Sequence, residues 1–290
     1  MGPASVLREM LIRGGLIVAP GAYDCITAKL IELAGFPAVY MTGAGTAASR
    51  LGMPDYGLLT MSEMVANAGA ISSSVRVPVI ADADTGYGNE LNVARTVREY
   101  ERQGVAGLHI EDQVFPKKCG HLDRKSIIPK EEFLAKIRAA AYERRDPDFV
   151  IIARTDAIAV TGFDEAIERA NAALEQGADV AFVEAPQTLA QIEAIPRLVR
   201  GPCLLNIVQG GKSPEVSLAQ AEAYGYRIAI LPTILLTATI EACRNVLENL
   251  LKQSCLPSST HQLTLRELFE LFGAKEWDAL KELANRNQMQ

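Results

Sequence analysis

The stretch GFDEAIERANAALEQGADVAFVEA, residues 162–185, contains one helix, one strand and one acidic residue where the strand ends. The helix is predicted by apolar residues spaced three and four apart, namely Phe163, Ala166, Ile167, Ala170 and Leu174. Gly177 ends the helix, and the unbroken apolar run after it predicts a strand buried on both faces. A helix packed on such a strand is a building unit of α/β folds.

The same unit recurs along the rest of the chain. Apolar β-rich runs occur eight times: LIVAP from Leu16, AVYMTG from Ala38, PVIADAD from Pro78, GLHIED from Gly107, FVIIARTD from Phe149, DVAFVEA from Asp179, PCLLNIV from Pro202 and RIAILPT from Arg227. Helical patterns lie between them, at residues 24–34, 62–74, 90–103, 131–144, 188–198, 214–224 and 237–251. We therefore predict strictly alternating strands and helices.

An internal repeat indicates how these units assemble. Four strands follow a glycine that ends a helix, whereas three of the others follow a proline: Gly35, Gly104, Gly177 and Gly225 against Pro78, Pro147 and Pro202. An alternating repeat suits an eight-stranded barrel, whose interior layers use alternate strands. We predict a (β/α)8 TIM barrel of the α/β class rather than an open doubly wound sheet. Residues 1–253 would form the catalytic barrel, and residues 254–290 a C-terminal helical tail of the same domain.

Composition excludes several classes of function. The 290 residues carry 29 Lys and Arg against 35 Asp and Glu, a net charge of −6 without a basic block, so a nucleic acid partner is not expected. No apolar run approaches the ~20 residues that span a bilayer, and no signal-peptide core is visible, so we expect no membrane partner and a cytoplasmic location. Five scattered cysteines without CxxC pairs indicate neither a disulfide framework nor structural zinc.

Polar side chains stand where most of the predicted strands end. That edge of a barrel carries its chemistry, so a convergent polar site is expected there. Its members are Tyr40 and Thr42, Asp82 and Asp84, Glu111 and Asp112, Arg154 and Asp156, Glu184, Asn206 and Thr233.

The densest signal is ADADTGYGN, residues 81–89. Asp82 and Asp84 are two residues apart and would point to the same face of a strand, and Glu111 ends the next strand. Three converging carboxylates without a matching set of lysines would repel one another unless a divalent cation joined them. Mg²⁺ or Mn²⁺ is favoured because the ligands are hard oxygens. The alternative is that these aspartates cap a helix or form turns.

The segment KKCGHL, residues 117–122, follows the fourth strand in a polar loop. A thiol between Lys118 and His121 would have a lowered pKa, which makes Cys119 a candidate general acid rather than a buried apolar residue. His109, inside the fourth strand, is interpreted as a core histidine. Arg154 offers a planar fork for a carboxylate or phosphoryl group, or an ion pair with Asp156 or Glu184.

The run TGAGT, residues 42–46, would bring backbone amides close to a ligand. It lacks the GxGxxG spacing of dinucleotide sites, so we predict an anion or oxyanion cradle and not an NAD site.

Taken together, these segments resemble the isocitrate lyase and phosphoenolpyruvate mutase superfamily. The resemblance covers about residues 8–250 and rests on VYMTGAGTAAS, PDYG, ADADTGYGN, HIEDQVFPKKCGH, IIARTDA, VEA and NIVQGGKSP, in the family's order. It implies a barrel whose eighth helix is exchanged between paired subunits, in a homodimer or homotetramer. It also implies a mobile loop that closes over a magnesium-bound 2-oxo acid.

The resemblance assigns roles to individual residues. Metal coordination falls to Asp82 and Asp84 with support from Asp55 and Glu111. Substrate binding falls to Thr42, Gly43, Ala44, Gly120, Arg154, Glu184, Asn206, Thr233 and Thr237, and catalysis to Cys119, Tyr40, Arg154, His121 and Lys118. Phosphoenolpyruvate mutases have asparagine and serine where Cys119 and Gly120 stand, so the resemblance favours carbon–carbon cleavage.

Two departures narrow the expected substrate. Methylisocitrate lyases have an arginine where our alignment places Thr237, and VQGGKSP is closer to the 2,3-dimethylmalate lyase, petal death protein and carboxyphosphonoenolpyruvate mutase branches. We expect a magnesium- or manganese-dependent retro-aldol lyase, similar to 2,3-dimethylmalate lyase, that cleaves a substituted malate into a 2-oxo acid and a monocarboxylate. Methylisocitrate lyase, oxaloacetate hydrolase or decarboxylase, and carboxyphosphonoenolpyruvate phosphonomutase activities stay open. A catalytically silent barrel is disfavoured because Asp82, Asp84, Cys119 and Arg154 are all present.

Overall fold

Eight parallel strands close into a barrel in the computed structural model, which describes residues 1–122, 124–254 and 263–286. Each strand pairs with its neighbours in sequence, and the eighth pairs with the first. The strands are β1 (Ile17–Ala22), β2 (Val39–Met41), β3 (Val79–Asp82), β4 (Gly107–Glu111), β5 (Val150–Thr155), β6 (Val180–Val183), β7 (Cys203–Asn206) and β8 (Ile228–Leu231). The predicted barrel and its eight strands are confirmed.

Helices cover the barrel and continue beyond it. They are α1 (Pro3–Arg13), α2 (Cys25–Leu33), α3 (Gly43–Leu51), α4 (Met61–Ser74), α5 (Glu90–Arg102), α6 (Lys130–Glu143), α7 (Phe163–Glu175), α8 (Leu189–Leu198), α9 (Leu218–Tyr224), α10 (Ile234–Gln253), α11 (Leu265–Glu270) and α12 (Ala274–Arg286). A short 3₁₀ helix, Ala157–Ala159, follows β5. Each predicted helix is present, with ends that shift by a few residues.

The prediction of strictly alternating strands and helices was wrong at two places. Helix α1 precedes the first strand, and both α3 and α4 lie between β2 and β3. Helix α3 begins because the Thr42 side chain accepts the Gly45 N–H, which caps the helix. Leu51 is the one large apolar residue of α3, so the sequence lacked the repeat of large apolar residues that predicts a helix.

The interior of the barrel is filled by side chains from alternate strand positions. Registered pairs bring Ile152 opposite Val180 and Leu204 opposite Ile228, and all four are buried. Because side chains of a strand alternate between its faces, the next inward position lies two residues further on. On β5 and β7 that position holds Arg154 and Asn206, and on β6 Glu184 follows the buried Phe182 by two residues. Asp82 and Glu111 end β3 and β4. The apolar core therefore continues directly into a polar layer at the carboxyl ends of the strands.

The chain divides into two compact units, Met1–Ala238 and Thr239–Gln290. The division at residue 253 stays a prediction. Within the second unit, the predicted helical tail forms α11 and α12, which are separated where Gly273 has a positive φ of 85°. Its predicted apolar stripe is exposed at Leu265, Leu268, Phe269 and Phe272. The CLPSST segment lies outside the described residues. None of the described helices is long and apolar enough to cross a membrane.

Close packing between β4 and β5 gives a stability prediction. A Cβ at Gly107 would lie 2.5 Å from the Val150 carbonyl oxygen, so alanine forces neighbouring strands apart. We expect Gly107→Ala to lower the free energy of unfolding by about 1–3 kcal/mol in urea denaturation. Gly2→Ala is the control, since nothing lies within 4 Å of its added Cβ. Equal stability of both variants would contradict the packing argument.

Candidate active site

Asp82 ties the end of β3 to the start of α3. Its Oδ2 accepts the Gly43 N–H at 3.1 Å, and its Oδ1 accepts the Asp84 N–H at 2.9 Å. A Cβ at residue 43 would lie 2.4 Å from Asp82 Oδ2, so a side chain there would not permit this approach. The predicted cradle at residues 42–46 is thus the first turn of a helix, and its Gly43 amide already holds a carboxylate.

We call the side chains of Asp55, Asp82, Asp84 and Glu111 the acidic layer, and two buried cations contact it. Lys117 Nζ lies 2.7 Å from Asp55 Oδ1 and 2.9 Å from Asp84 Oδ1, and Arg154 Nη1 lies 3.0 Å from Glu111 Oε2. Lys117 is only 2% exposed, although it belongs to a polar loop. The expectation that the acids lack matching cations was therefore wrong, because the loop after β4 brings Lys117 inside.

The acids nevertheless remain unequally compensated. Burial alone would raise the pKa of Asp82, but His109, Lys117 and Arg154 outweigh it and lower that pKa to about 2. Burial raises the pKa of Asp84 to about 7 despite Lys117, and burial also raises the pKa of Glu111 well above its usual value. Burial therefore favours the protonated forms of Asp84 and Glu111, an effect that Lys117 and Arg154 only partly oppose.

The donor set fits a divalent cation. Asp84 Oδ1 and Glu111 Oε2 are buried and have no hydrogen-bond donor in suitable geometry, even though each lies near a cationic nitrogen. Carboxylate oxygens of this kind are ligands for Mg²⁺ and Mn²⁺. As they stand, no three acidic, histidine or cysteine side chains of the described residues converge closely enough to enclose a metal ion. Lys117 lies between the side chains of Asp55 and Asp84.

The segment from Lys117 to Leu122 folds over the acidic layer, and we call it the lid. The Cys119 N–H donates to the Asp55 carbonyl oxygen at 3.1 Å, and the Leu122 N–H donates to the Cys119 carbonyl oxygen at 2.9 Å. The Lys118 N–H donates to Gln113 Oε1 at 3.1 Å. These contacts fix the lid in a closed position in which Cys119 is half-buried.

The predicted lowering of the Cys119 pKa was wrong. Burial raises the pKa of this thiol, and the negative charge of Asp55 raises it further. A hydrogen bond from the His121 backbone acts in the opposite direction but does not reverse the shift. Cys119 is therefore a protonated thiol at neutral pH, the form that a general acid needs.

Residues of β6 and β7 receive the far end of the lid. Asn206 Nδ2 donates to Glu184 Oε1 at 3.2 Å, and His121 Nε2 lies 3.5 Å from the same oxygen. His121 Nδ1 accepts the Lys212 N–H at 3.0 Å. A Cβ at Gly120 would lie 2.2 Å from Glu184 Oε1, so the closed lid requires glycine there. His121, Glu184 and Asn206 thus meet as the sequence predicts.

Arg154 is held from two sides. Its Nε donates to Asp156 Oδ2 at 2.9 Å and its Nη2 to Asp156 Oδ1 at 3.2 Å. Its guanidinium carbon lies 5.2 Å from the centre of the Phe182 ring. The ion-pair interpretation of Arg154 is confirmed, with Asp156 as its partner, and binding of a substrate carboxylate or phosphoryl group stays a prediction. Asp156, which follows Arg154 in the RTD sequence, orients the guanidinium.

Tyr40 and His109 form a buried pair beside Asp82. The Tyr40 hydroxyl lies 2.8 Å from His109 Nε2 and 3.4 Å from Asp82 Oδ2. Burial raises the pKa of Tyr40 well above its usual value and lowers the pKa of His109 to about 4, so both are neutral at pH 7. His109 is fully buried, as expected of a core histidine, but it is not fully satisfied, because its Nδ1 has no hydrogen-bond partner among the described residues.

The remaining candidates lie at the starts of two helices. Thr42 caps α3, and Ala44 belongs to its first turn. Thr233 directly precedes α10, and Thr237 lies in its first turn. The Thr237 hydroxyl donates to the Thr233 and Ile234 carbonyl oxygens, and its side chain is exposed. The described contacts of Thr237 are therefore within its own helix and not with Arg154 or the acids.

Comparison with known proteins places this geometry in a family. The family model of phosphoenolpyruvate phosphomutase matches residues 7–251. A 2,3-dimethylmalate lyase of Eubacterium barkeri is 54% identical over 233 residues, 80% of this chain and 81% of that protein. A 2-methylisocitrate lyase of Aeropyrum pernix is 43% identical over 277 residues, 95% of this chain and 89% of that protein.

Solved structures agree in fold. An oxaloacetate acetylhydrolase in complex with the inhibitor 3,3-difluorooxalacetate superposes with a TM-score of 0.94 at 40% sequence identity. The match covers 98% of this chain and 99% of that chain, so it includes every strand described above.

The acidic layer predicts metal binding that is measurable without turnover. We expect isothermal titration to detect Mg²⁺ or Mn²⁺ binding to the native protein, and Asp84→Asn to weaken it by at least about tenfold, because one hard anionic ligand is lost. Asp278→Asn, an exposed aspartate of α12, should bind metal as the native protein does. Undiminished binding in Asp84→Asn would remove Asp84 from the metal site.

The surroundings of Cys119 predict its pH dependence. A raised pKa lowers the thiolate fraction at any given pH, so the midpoint of the pH profile of alkylation at Cys119 should lie above that of an ordinary thiol. A free KKCGHL peptide should react at lower pH, and Asp55→Asn should shift the protein profile toward the peptide. Peptide mapping by mass spectrometry measures the rate. A protein profile below that of the peptide would contradict the burial argument.

Proposed function

Since this chain belongs to the isocitrate lyase and phosphoenolpyruvate mutase superfamily, we propose that it is a metal-dependent carbon–carbon lyase. Its substrate would be a 2-hydroxy dicarboxylate of the substituted-malate type, as the name of the 54%-identical 2,3-dimethylmalate lyase indicates. The observation that carries the proposal is the closed lid. Cys119 and Gly120 lie over the acidic layer, and glycine at residue 120 fits against Glu184.

The reaction is a retro-aldol cleavage. The bond between C2 and C3 of the substrate breaks as the 2-hydroxyl group loses its proton and becomes the oxo group of a 2-oxo acid. The electron pair of the broken bond goes to C3, which becomes an enolised carboxylate. That carbon then takes a proton and leaves as a monocarboxylate. A proton acceptor, a proton donor and stabilisation of developing negative charge are therefore required.

The residues of the polar layer divide these tasks. A divalent cation held by Asp82 and Asp84, with Asp55 and Glu111 in support, would polarise the 2-oxygen of the substrate. The hydroxyl proton would go to the neutral Tyr40–His109 pair beside Asp82, with Tyr40 accepting it while passing its own phenol proton to His109 Nε2. Tyr40 alone would not accept it, because burial keeps its phenol protonated.

The lid supplies the proton and closes the site. Cys119 is protonated at neutral pH and donates to C3 of the leaving group. Arg154, oriented by Asp156, binds a substrate carboxylate, with Glu184 and Asn206 beside it. Closure excludes water, which protects the enolised intermediate from premature protonation and strengthens the electrostatic interactions around it.

The contacts of Gly120 in the lid help to distinguish the proposed reaction from the alternative activities. A phosphoenolpyruvate mutase lid, as the resemblance implies, would have serine at residue 120, whose Cβ would lie 2.2 Å from Glu184 Oε1 in this closed position. Carboxyphosphonoenolpyruvate phosphonomutase activity stays an alternative. Cleavage of methylisocitrate needs the same acids and the same cradle and differs from the proposed reaction in the substrate alone. Hydrolysis of oxaloacetate would also use them, but a water molecule must add to the C2 carbonyl before the bond between C2 and C3 breaks. The name of the oxaloacetate acetylhydrolase relative keeps that hydrolysis as the second candidate.

A homodimer or homotetramer with an exchanged last helix stays a proposal, as does a cytoplasmic location. The oligomer is supported by α10, in which no residue is buried, and by the exposed apolar side chains of the second unit. Apolar surface of that extent is usually covered by a partner. Sedimentation of the full chain measures the oligomeric state.

A substrate panel tests the proposed function. We expect magnesium-dependent release of a 2-oxo acid from 2,3-dialkylmalates, abolished by chelator and restored by added metal. Cys119→Ser should retain binding of oxalate, an enolate mimic, while turnover falls by about 10² or more, the usual loss for a positioned acid. Release of acetate and oxalate from oxaloacetate, without cleavage of any alkylmalate, would establish the second candidate instead.

The residue at position 237 predicts substrate preference. Methylisocitrate has a third carboxylate, and a charge-assisted pair that is missing costs about 1.5–3 kcal/mol. We expect kcat/KM for methylisocitrate to be at least about tenfold below that for a 2,3-dialkylmalate, since tenfold corresponds to about 1.4 kcal/mol. Thr237→Arg should narrow this ratio, and Thr237→Ser should leave it unchanged. A native preference for methylisocitrate would contradict our alignment at Thr237.

A further inference from the structure

Lys125 makes contacts that the proposed reaction does not explain. It follows the lid along the chain, yet its side chain is only 1% exposed. The ammonium donates to the Gly120 carbonyl oxygen at 2.5 Å and to Asp156 Oδ1 at 2.7 Å. A single buried ammonium therefore joins the backbone of the lid to a carboxylate of the barrel.

Asp156 is a fixed point of the barrel. It follows β5, is fully buried, and its N–H donates to Asp112 Oδ1 at 2.8 Å. Its two carboxylate oxygens accept the two bonds from Arg154 described above. The carboxylate that orients the substrate-binding guanidinium is thus the same one that receives Lys125, so it links the guanidinium with the lid.

The lid end of this contact lies next to Cys119. Gly120 follows Cys119 directly, and a Cβ at Gly120 would lie 2.6 Å from Arg154 Nη2. Cys119 is therefore held on both sides, by the Asp55 carbonyl oxygen at its own N–H and by Lys125 at the carbonyl oxygen of the next residue.

Lys125 differs from Lys117, the other buried lysine of the loop after β4. Lys117 contacts Asp55 and Asp84, two residues of the proposed metal site, so its contacts are expected to depend on the metal. Lys125 contacts neither of them. Its three ammonium hydrogens can serve a carbonyl and a carboxylate at once, and loss of one partner of a buried ion pair leaves the other charge uncompensated.

We propose that Lys125 is a positioning residue, which latches the lid in its closed position by joining the Gly120 carbonyl to Asp156. In this role it holds Cys119 over the substrate without touching the substrate itself. The inference rests on the proposed function only for its effect on turnover, because closure of the lid is measurable without any reaction.

The test measures access to Cys119 by iodoacetamide in ligand-free protein and with oxalate and Mg²⁺, using mass spectrometry of the Cys119 peptide. Lys125→Met keeps the length of the side chain and removes its donors. We expect its Cys119 to react at least about tenfold faster than in native protein under both conditions. Removal of a positive charge would itself raise the thiol pKa and slow the reaction, so faster reaction reports an open lid.

Two further variants complete the design. Lys125→Arg keeps the charge and the donors and should restore at least half of the native protection. Lys130→Met removes a half-buried lysine at the start of α6, whose side chain pairs with Glu168, and Cys119 of this variant should react as in native protein. Circular dichroism establishes that each variant is folded.

The outcomes separate the latch from the proposed function. Native reactivity of Cys119 in folded Lys125→Met overturns the latch, and so does failure of both Lys125 variants to fold, which would make Lys125 a residue of the fold. Absence of turnover on every substrate, with the expected change in reactivity, overturns the proposed function and leaves the latch standing.

Discussion

Burial of negative charge at the carboxyl ends of β3, β4 and β5 is the constraint on which the rest of the site depends. Carboxylates at these positions are tolerated only if cations reach them, because an isolated buried charge is costly. The barrel itself provides Arg154, and the loop after β4 provides Lys117 and Lys125. Lys117 and Lys125 reach the buried carboxylates only when the lid is closed, so closure of the lid also compensates the charge of these carboxylates.

The sequence predicted the barrel well because each strand and helix carries its own local signal. Unbroken apolar runs and helix-ending glycines identify the strands without knowledge of any distant residue. The strand-end residues of the site followed from the same signal, since position along a strand fixes which edge of the barrel a side chain reaches. Helix α3 was missed because Gly43, Gly45 and several alanines carry no apolar periodicity, and its start depends on the cap at Thr42.

What the sequence did not predict depends on contacts between distant parts of the chain. The pKa of Cys119 was expected to fall because Lys118 and His121 are its neighbours in sequence, whereas its neighbour in space is Asp55. The positions of Lys117 and Lys125 were missed for the same reason. A lysine in a polar loop is normally exposed, and only the fold of the lid brings these two ammonium groups to buried carboxylates.

The unbroken inward face of the strands has a consequence for how this catalyst can change over evolutionary time. Core and polar layer share one alternation, so an insertion within β5 or β6 would turn Arg154 or Glu184 outward and disrupt the packing below them. The lengths of these strands therefore cannot change without loss of the active site. Diversification into new reactions is left to loop positions that do not compensate buried charge, since Lys117 and Lys125 of the loop after β4 pair with buried carboxylates. A library for directed evolution of this barrel should be confined to those positions.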